Sequence, residues 1–153
     1  MSFLDEIDRK ILRALQDSPQ ISMVALAERV GLSHTPCWRR VKRLETSGAI
    51  QERAIILDPK VAGLGINVFA NVRLKAHDED TLEALERATL DRPEIVDCFS
   101  MSGDSDYIFR IVVPSVDEYE RFLKKVLLHM PGVASVHSHF ALKCIKNTTK
   151  IPI

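Results

Sequence analysis

Apolar residues along the chain follow two different rhythms. Leu4, Ile7, Ile11 and Leu15 recur at intervals of three and four, the period that lines one face of a helix. Met23, Leu26, Ala27 and Val30 repeat that pattern after Ser22, a suitable N-cap, and Gly31 suits the left-handed residue that stops a helix. A third helix is predicted from Ser33 to about Ser47, with Pro36 in the first turn, where no N–H is needed, and Gly48 as its stop. Ile50 to Leu57 reads as extended, and Asp58-Pro59 followed by Gly63 and Gly65 reads as a turn-rich linker.

Beyond the linker the period changes. Ile66, Val68, Ala70, Val72 and Leu74 alternate with Asn67, Phe69, Asn71 and Arg73, the pattern of a half-buried strand. Leu82, Leu85 and Ala88 predict a helix from about Glu79 to Leu90. Residues 95–101 and 107–113 read as two strands joined by the turn Ser102-Gly103-Asp104-Ser105-Asp106. Ser115 and Glu118 form a capping-box pattern before a helix whose inner face is Tyr119, Phe122, Leu123, Val126 and Met130. Pro131-Gly132 ends it, and residues 133–143 supply the last strand. The fold class is therefore α+β: a (winged) helix-turn-helix domain over 1–57, a linker over 58–65, and a ferredoxin-like βαββαβ domain over 66–153. Two helices on one face of an antiparallel sheet leave the other face uncovered, and a partner usually covers such a face.

Composition narrows the function. The 153 residues are 46% hydrophobic and 27% charged, in the ordinary globular range. No apolar run approaches the roughly 18 residues of a membrane helix. The acidic start MSFLDEIDRK is unlike a signal peptide, so a cytoplasmic protein with no membrane partner is expected. Cys37, Cys98 and Cys144 form no CxxC pair and are expected to be reduced, mostly buried thiols. Lys and Arg number 21 against 21 Asp and Glu, which excludes nucleic-acid coating by bulk positive charge. DNA binding would need a local patch.

The predicted third helix supplies one. Cys37, Val41 and Leu44 form its inward stripe, while Thr35, Arg39, Lys42 and Arg43 point the other way. Arg39, Arg40, Lys42 and Arg43 fall in a stretch without an anion, on the second helix of a helix-turn-helix, the one that enters the major groove. Ser33, His34, Thr35, Trp38, Arg39, Arg40, Lys42 and Arg43 are the DNA-binding candidates: arginine pairs with both guanine acceptors, while lysine and hydroxyls serve mainly phosphates. Trp38 has two readings, a flank of the DNA-facing surface or packing on the first helix. One module makes few phosphate contacts, so useful affinity needs at least a dimer on two half-sites of double-stranded DNA.

Competing uses of the fold are a metal carrier or a scaffold that docks acidic proteins with an incidental basic helix. His137 and His139 share one strand face but lack a third recognisable ligand, so no metal is expected. Nucleophile motifs, phosphate loops and paired acid-base signatures are all missing, so neither an enzyme nor a cofactor is expected.

Leu4-Asp5-Glu6-Ile7-Asp8, the run from Val30-Gly31-Leu32-Ser33 to Arg43-Leu44-Glu45, Gly48-Ala49-Ile50, Ser102-Gly103-Asp104-Ser105-Asp106-Tyr107 and Pro131-Gly132-Val133 occur in order along the whole chain. In these the chain resembles the leucine-responsive and asparagine-type (Lrp/AsnC) transcriptional regulators of bacteria and archaea. The resemblance implies dimers that pair through the C-terminal sheets, often closing into an octamer, and an amino acid or related metabolite as effector. It places effector sites between dimers around the hairpin turn, with Ser100, Met101, Gly103, Asp104, Ser105 and Asp106 as first candidates and His139 and Phe140 next. Amides near a glycine turn hold a carboxylate, and Asp106 is the expected acceptor for an ammonium. Ordinary turn chemistry also accounts for Asp104 and Asp106. Ser105 stands where the family is often aromatic, and His139 where it commonly carries a larger phenolic or an aliphatic side chain, so a pocket of different size is implied.

Overall fold

The computed structural model describes residues 4–153. Its internal contacts divide the chain into two compact units: residues up to Ile56 together with Lys146–Ile153, and Leu57–Ile145.

In the first unit, helix α1 spans Glu6–Asp17, α2 Met23–Val30 and α3 His34–Thr46. Ser22 caps α2 by accepting from the Ala25 N–H, and Gly31 ends it at φ 72°, a left-handed conformation that costs glycine little. The core joins Ile11, Leu12 and Ala14 of α1, Leu26, Ala27 and Val30 of α2, and Cys37, Val41 and Leu44 of α3. The α3 stripe agrees with the sequence periodicity. The tail also belongs here. Arg13 Nε donates to the Ile153 carbonyl at 2.6 Å, Gln16 Oε1 accepts from the Ile151 N–H at 2.7 Å, and Ile153 packs on the helical core. Residues 146–153 were expected in the second domain, and the difference arises because hydrogen-bonding and apolar partners for this segment lie on α1. Residues 51–57 carry neither helix nor strand, so the expected extended segment pairs with nothing in this unit, and Ile55 and Leu57 are exposed.

The second unit is a four-stranded antiparallel sheet with two helices on one face. The strands are β1 Ile66–Leu74, β2 Ile95–Ser100, β3 Tyr107–Val113 and β4 Val133–Phe140; the helices are α4 Glu79–Leu90 and α5 Val116–Lys125. The order β2-β3-β1-β4 puts β3 between β1 and β2, the split βαβ arrangement. Val68, Ala70 and Val72 of β1 and Phe109 and Ile111 of β3 are fully enclosed beneath Leu85, Tyr119 and Phe122 of the helices.

Three elements differ from the sequence reading. β4 stops at Phe140, short of residue 143, because its partner β1 begins at Ile66: the Ala141 N–H still reaches the Asn67 carbonyl, and beyond that the neighbouring strand has run out. The last helix breaks at Val126 (φ −120°, ψ −68°) into a 3-10 turn, Leu127–His129, which buries Leu127 and Met130. Only half of the capping box forms, since Ser115 Oγ accepts from the Glu118 N–H while Glu118 Oε1 turns to Arg121. Cys37 is buried as expected, but Cys98 and Cys144 are exposed.

Gly132 is a close-approach glycine: φ is 71°, and a Cβ there would lie 2.2 Å from Thr81 Cγ2. Gly63 has a similar φ of 78° with nothing within 4 Å. In chemical denaturation Gly63→Ala should therefore cost only the left-handed strain, about 1 kcal/mol. Gly132→Ala should cost more, by roughly a further 1–3 kcal/mol for the clash.

Candidate DNA-binding surface and effector turn

The DNA candidates lie on α3 and at its start. Ser33 is the N-cap residue by position, yet its side chain makes no capping hydrogen bond. Ser33, His34, Thr35, Arg39, Lys42 and Arg43 are exposed, Trp38 is 46% exposed, and Arg40 is half-buried. Among the described residues Arg39 has no hydrogen bond or ion pair, so its guanidinium projects free from the centre of the outward face.

The other cations have anions beside them. Lys42 Nζ donates to Glu45 Oε2 at 2.7 Å, an exposed pair of the kind that contributes little and exchanges readily. Arg40 and Arg43 reach α1. Asp8, 1% exposed, accepts from Arg40 Nη1 at 2.8 Å and from Arg43 Nη2 at 2.6 Å. Asp5, the N-cap of α1, accepts from the same Arg40 Nη1 at 2.6 Å, and this contact chiefly holds its carboxyl below the usual range. Asp5 and Asp8 also cap each other's backbone N–H. The patch is one-signed from Ser33 to Arg43 but flanked in space by the carboxylates of Asp5, Asp8 and Glu45. Sequence reasoning did not assign Asp8 a role, although its place on the apolar stripe of α1, between Leu4 and Ile11 or Leu12, marks a carboxylate that needs a cation.

In the second unit the turn from Met101 to Asp106 closes the β2–β3 hairpin. Met101, Ser102, Gly103 and Asp104 are exposed, Ser105 and Asp106 partly so, and Gly103 has φ 117°. Asp106 does not project an open carboxylate. Its Oδ2 accepts from the Leu74 N–H and its Oδ1 pairs with His77 Nε2, both at 2.7 Å. Its backbone N–H donates to Val72, and its carbonyl accepts from Met101. Asp106, the expected acceptor for an ammonium, thus ties the turn to the end of β1, and His77 is a partner the sequence did not indicate. Asp104 has no hydrogen bond or ion pair among the described residues.

His139 and Phe140 lie elsewhere. His139 is opposite Phe69 on the uncovered sheet face, whereas Phe140 turns to the helical side, edge-on to Tyr119 at a ring separation of 5.3 Å. Both pair with the first half of β1, while Tyr107, next to the turn, pairs with Val72. The two sets are thus about 10 Å apart along β1, on strands flanking it from opposite sides. One chain does not gather them into one pocket. His137 also lies on the uncovered face, opposite Asn71, and no cluster of three His, Cys, Asp or Glu side chains suited to a metal occurs among the described residues. Among those residues no helix is long and apolar enough to cross a membrane.

A helix-turn-helix with an exposed cationic second helix, carried with a ferredoxin-like sheet in one chain, defines a DNA-binding transcriptional regulator. Residues 4–51 match the winged helix-turn-helix DNA-binding family and residues 67–151 the Lrp/AsnC ligand binding domain. The chain is 42% identical over its whole length to the Bkd operon transcriptional regulator of Pseudomonas aeruginosa, all of which it covers. It is 38% identical to the DNA-binding transcriptional activator DecR of Escherichia coli K12, over 98% of this chain and 99% of that one. A crystal structure of a transcriptional regulator from Neisseria meningitidis in complex with L-Met superposes with TM-score 0.91 at 36% identity, over 97% of this chain and 96% of that one. The chain belongs to the Lrp/AsnC family of transcriptional regulators.

The Leu74 amide and then His77 lower the pKa of Asp106 from its ordinary 3.8. A carboxylate depressed on folding adds stability above its unfolded value, and that stability is lost as pH falls through the folded one. In denaturation followed at several pH values, the stability gap between the native chain and Asp106→Asn should be full above pH 3.8 and close as pH falls below it.

Proposed function

We propose that the protein works in the cytoplasm as a homo-oligomer, dimers pairing through the uncovered sheet faces and assembling to an octamer, and that a free amino acid bound between copies at the hairpin turn modulates its hold on DNA. It acts by binding and not by catalysis. The observation that carries this reading is the separation of the turn from His139 and Phe140. These candidates complete one pocket only if a second copy brings its own set to the first. Within the turn, backbone amides around Gly103 suit a carboxylate, and Asp104, without a partner among the described residues, suits an ammonium better than Asp106, whose two oxygens already have partners. The Neisseria regulator that superposes so closely holds L-Met, which makes methionine the first amino acid to try.

The uncovered face supports self-association. Phe69, Phe99 and Ile108, with the Asp97–Arg110 ion pair, line a shallow hollow of about 160 Å³. Phe99 is 60% exposed, an apolar surface that water disfavours.

A thermal-shift screen of the twenty amino acids tests the effector. A ligand at a hundred times its Kd stabilises by about 2.7 kcal/mol, a shift of several degrees for a chain of this size. No shift with any amino acid would remove this effector class. In sedimentation across a dilution series, Phe99→Glu should yield a smaller species than the native chain, with helical content unchanged; an unaltered size would take the sheet face out of the assembly.

A further inference from the structure

Arg40 and Arg43 each spend only part of a guanidinium on α1. Arg40 uses Nη1 alone and Arg43 uses Nη2 alone. A guanidinium carries five donors in a planar fork, so Nε and the other η nitrogen of each are left for another acceptor. The two carboxylates they meet are not equivalent. Asp8 is enclosed and engages both arginines, one on each oxygen; the Asp5 side chain is 51% exposed and, of the two arginines, meets only Arg40, through Oδ2, while its Oδ1 caps the Asp8 N–H.

We propose that Asp8 is a positioning residue for DNA binding and Asp5 a displaceable counterion: Asp8 fixes the guanidinium groups of Arg40 and Arg43 at the edge of α3, and a DNA backbone phosphate takes the place of Asp5 on Arg40. This rests on α3 being the DNA-facing helix. Water solvates Asp5 as it leaves, so the exchange costs little. Asp8 stays, because a phosphate cannot follow a guanidinium to a carboxylate closed off from solvent. Every duplex, cognate or random, must break the Asp5–Arg40 contact, and this lowers sequence-independent binding. Cognate sequences recover the loss through base contacts.

Fluorescence anisotropy of the full chain with a random-sequence duplex, titrated over a range of salt, tests both roles. Asp5→Asn removes the charge and keeps the N-cap, since Asn caps as well as Asp. Affinity for the random duplex should rise several-fold, and the plot of log K against log salt should steepen because no freed carboxylate takes up a cation. The gain should vanish in an Arg40→Gln background and be absent in Glu6→Gln, whose carboxylate faces Arg13 and not Arg40. A gain that persists without Arg40, or an equal gain from Glu6→Gln, is a general field effect and overturns the displaceable role. For Asp8→Asn, measured where circular dichroism shows a folded chain, the salt slope should become shallower as aligned phosphate contacts are lost. Arg43→Gln should flatten it by up to about 0.9, and serves in its place should Asp8→Asn not fold. An unchanged slope in the folded variants overturns positioning. Arg39→Ala separates the two levels: no loss of DNA affinity there removes α3 from the interface and the proposal with it, whereas a loss there without an Asp5 effect defeats the proposal alone.

Discussion

Asp8 has an unfavourable place for a charge, on the apolar stripe of α1 with almost none of its surface in water. A carboxylate so enclosed is tolerated only when cations and hydrogen bonds replace its hydration, and stripping one partner from a buried pair typically costs on the order of 3–5 kcal/mol. Here two guanidiniums and the Asp5 N–H do so. Because Arg40 and Arg43 both come from α3, the electrostatic need of α1 is met only in one rotation of α3 about its axis. In that rotation Cys37, Val41 and Leu44 face inward and Thr35 and Arg39 face out. Apolar packing alone tolerates small slippage; the charge cluster does not.

The second unit has a comparable organiser in β1. It pairs on both sides, with β3 and β4, and one of its faces is sealed by the helices. A one-residue slip would turn Val68, Ala70 and Val72 outward, so the register is strongly held. That register sets the end of the sheet reached by the hairpin turn and the end occupied by His139. Asp106 completes the arrangement by taking up the Leu74 N–H at the end of β1, which gives the turn a fixed seat. A turn seated in this way presents its amides in one orientation, which a small anionic group requires more than it requires another side chain.

Much of this was legible in the sequence wherever the controlling interaction was local. Helix periods, the Ser22 cap, the Gly31 stop and the alternation of β1 depend on neighbours a few residues away, and α4 was read at its observed limits of Glu79 and Leu90. Pairings across the chain were not legible. β4 ends where β1 begins, a limit set some seventy positions away. Val126 sits on an uninterrupted apolar period, so nothing local shows that the helix tightens there. The partners of Asp8 lie 32 and 35 residues off, and His77 is 29 from Asp106. The partners of Asp106 were hidden for the same reason: turn position indicates which residues are near the surface, not which of their hydrogen bonds have already been made.

The neutral composition takes on a different meaning beside the charge cluster. A regulator must find few sites among very many, and its useful discrimination is the ratio of specific to random binding rather than affinity alone. Random binding comes almost wholly from phosphate contacts. Surrounding a cationic helix with Asp5, Asp8 and Glu45 subtracts from that term while leaving Arg39 free at the centre of the outward face. Arginines held in place on α1 also lose less conformational freedom when a duplex arrives, so geometry offsets part of what the missing net charge would have supplied. The zero net charge of the whole chain is thus compatible with DNA binding through a local patch.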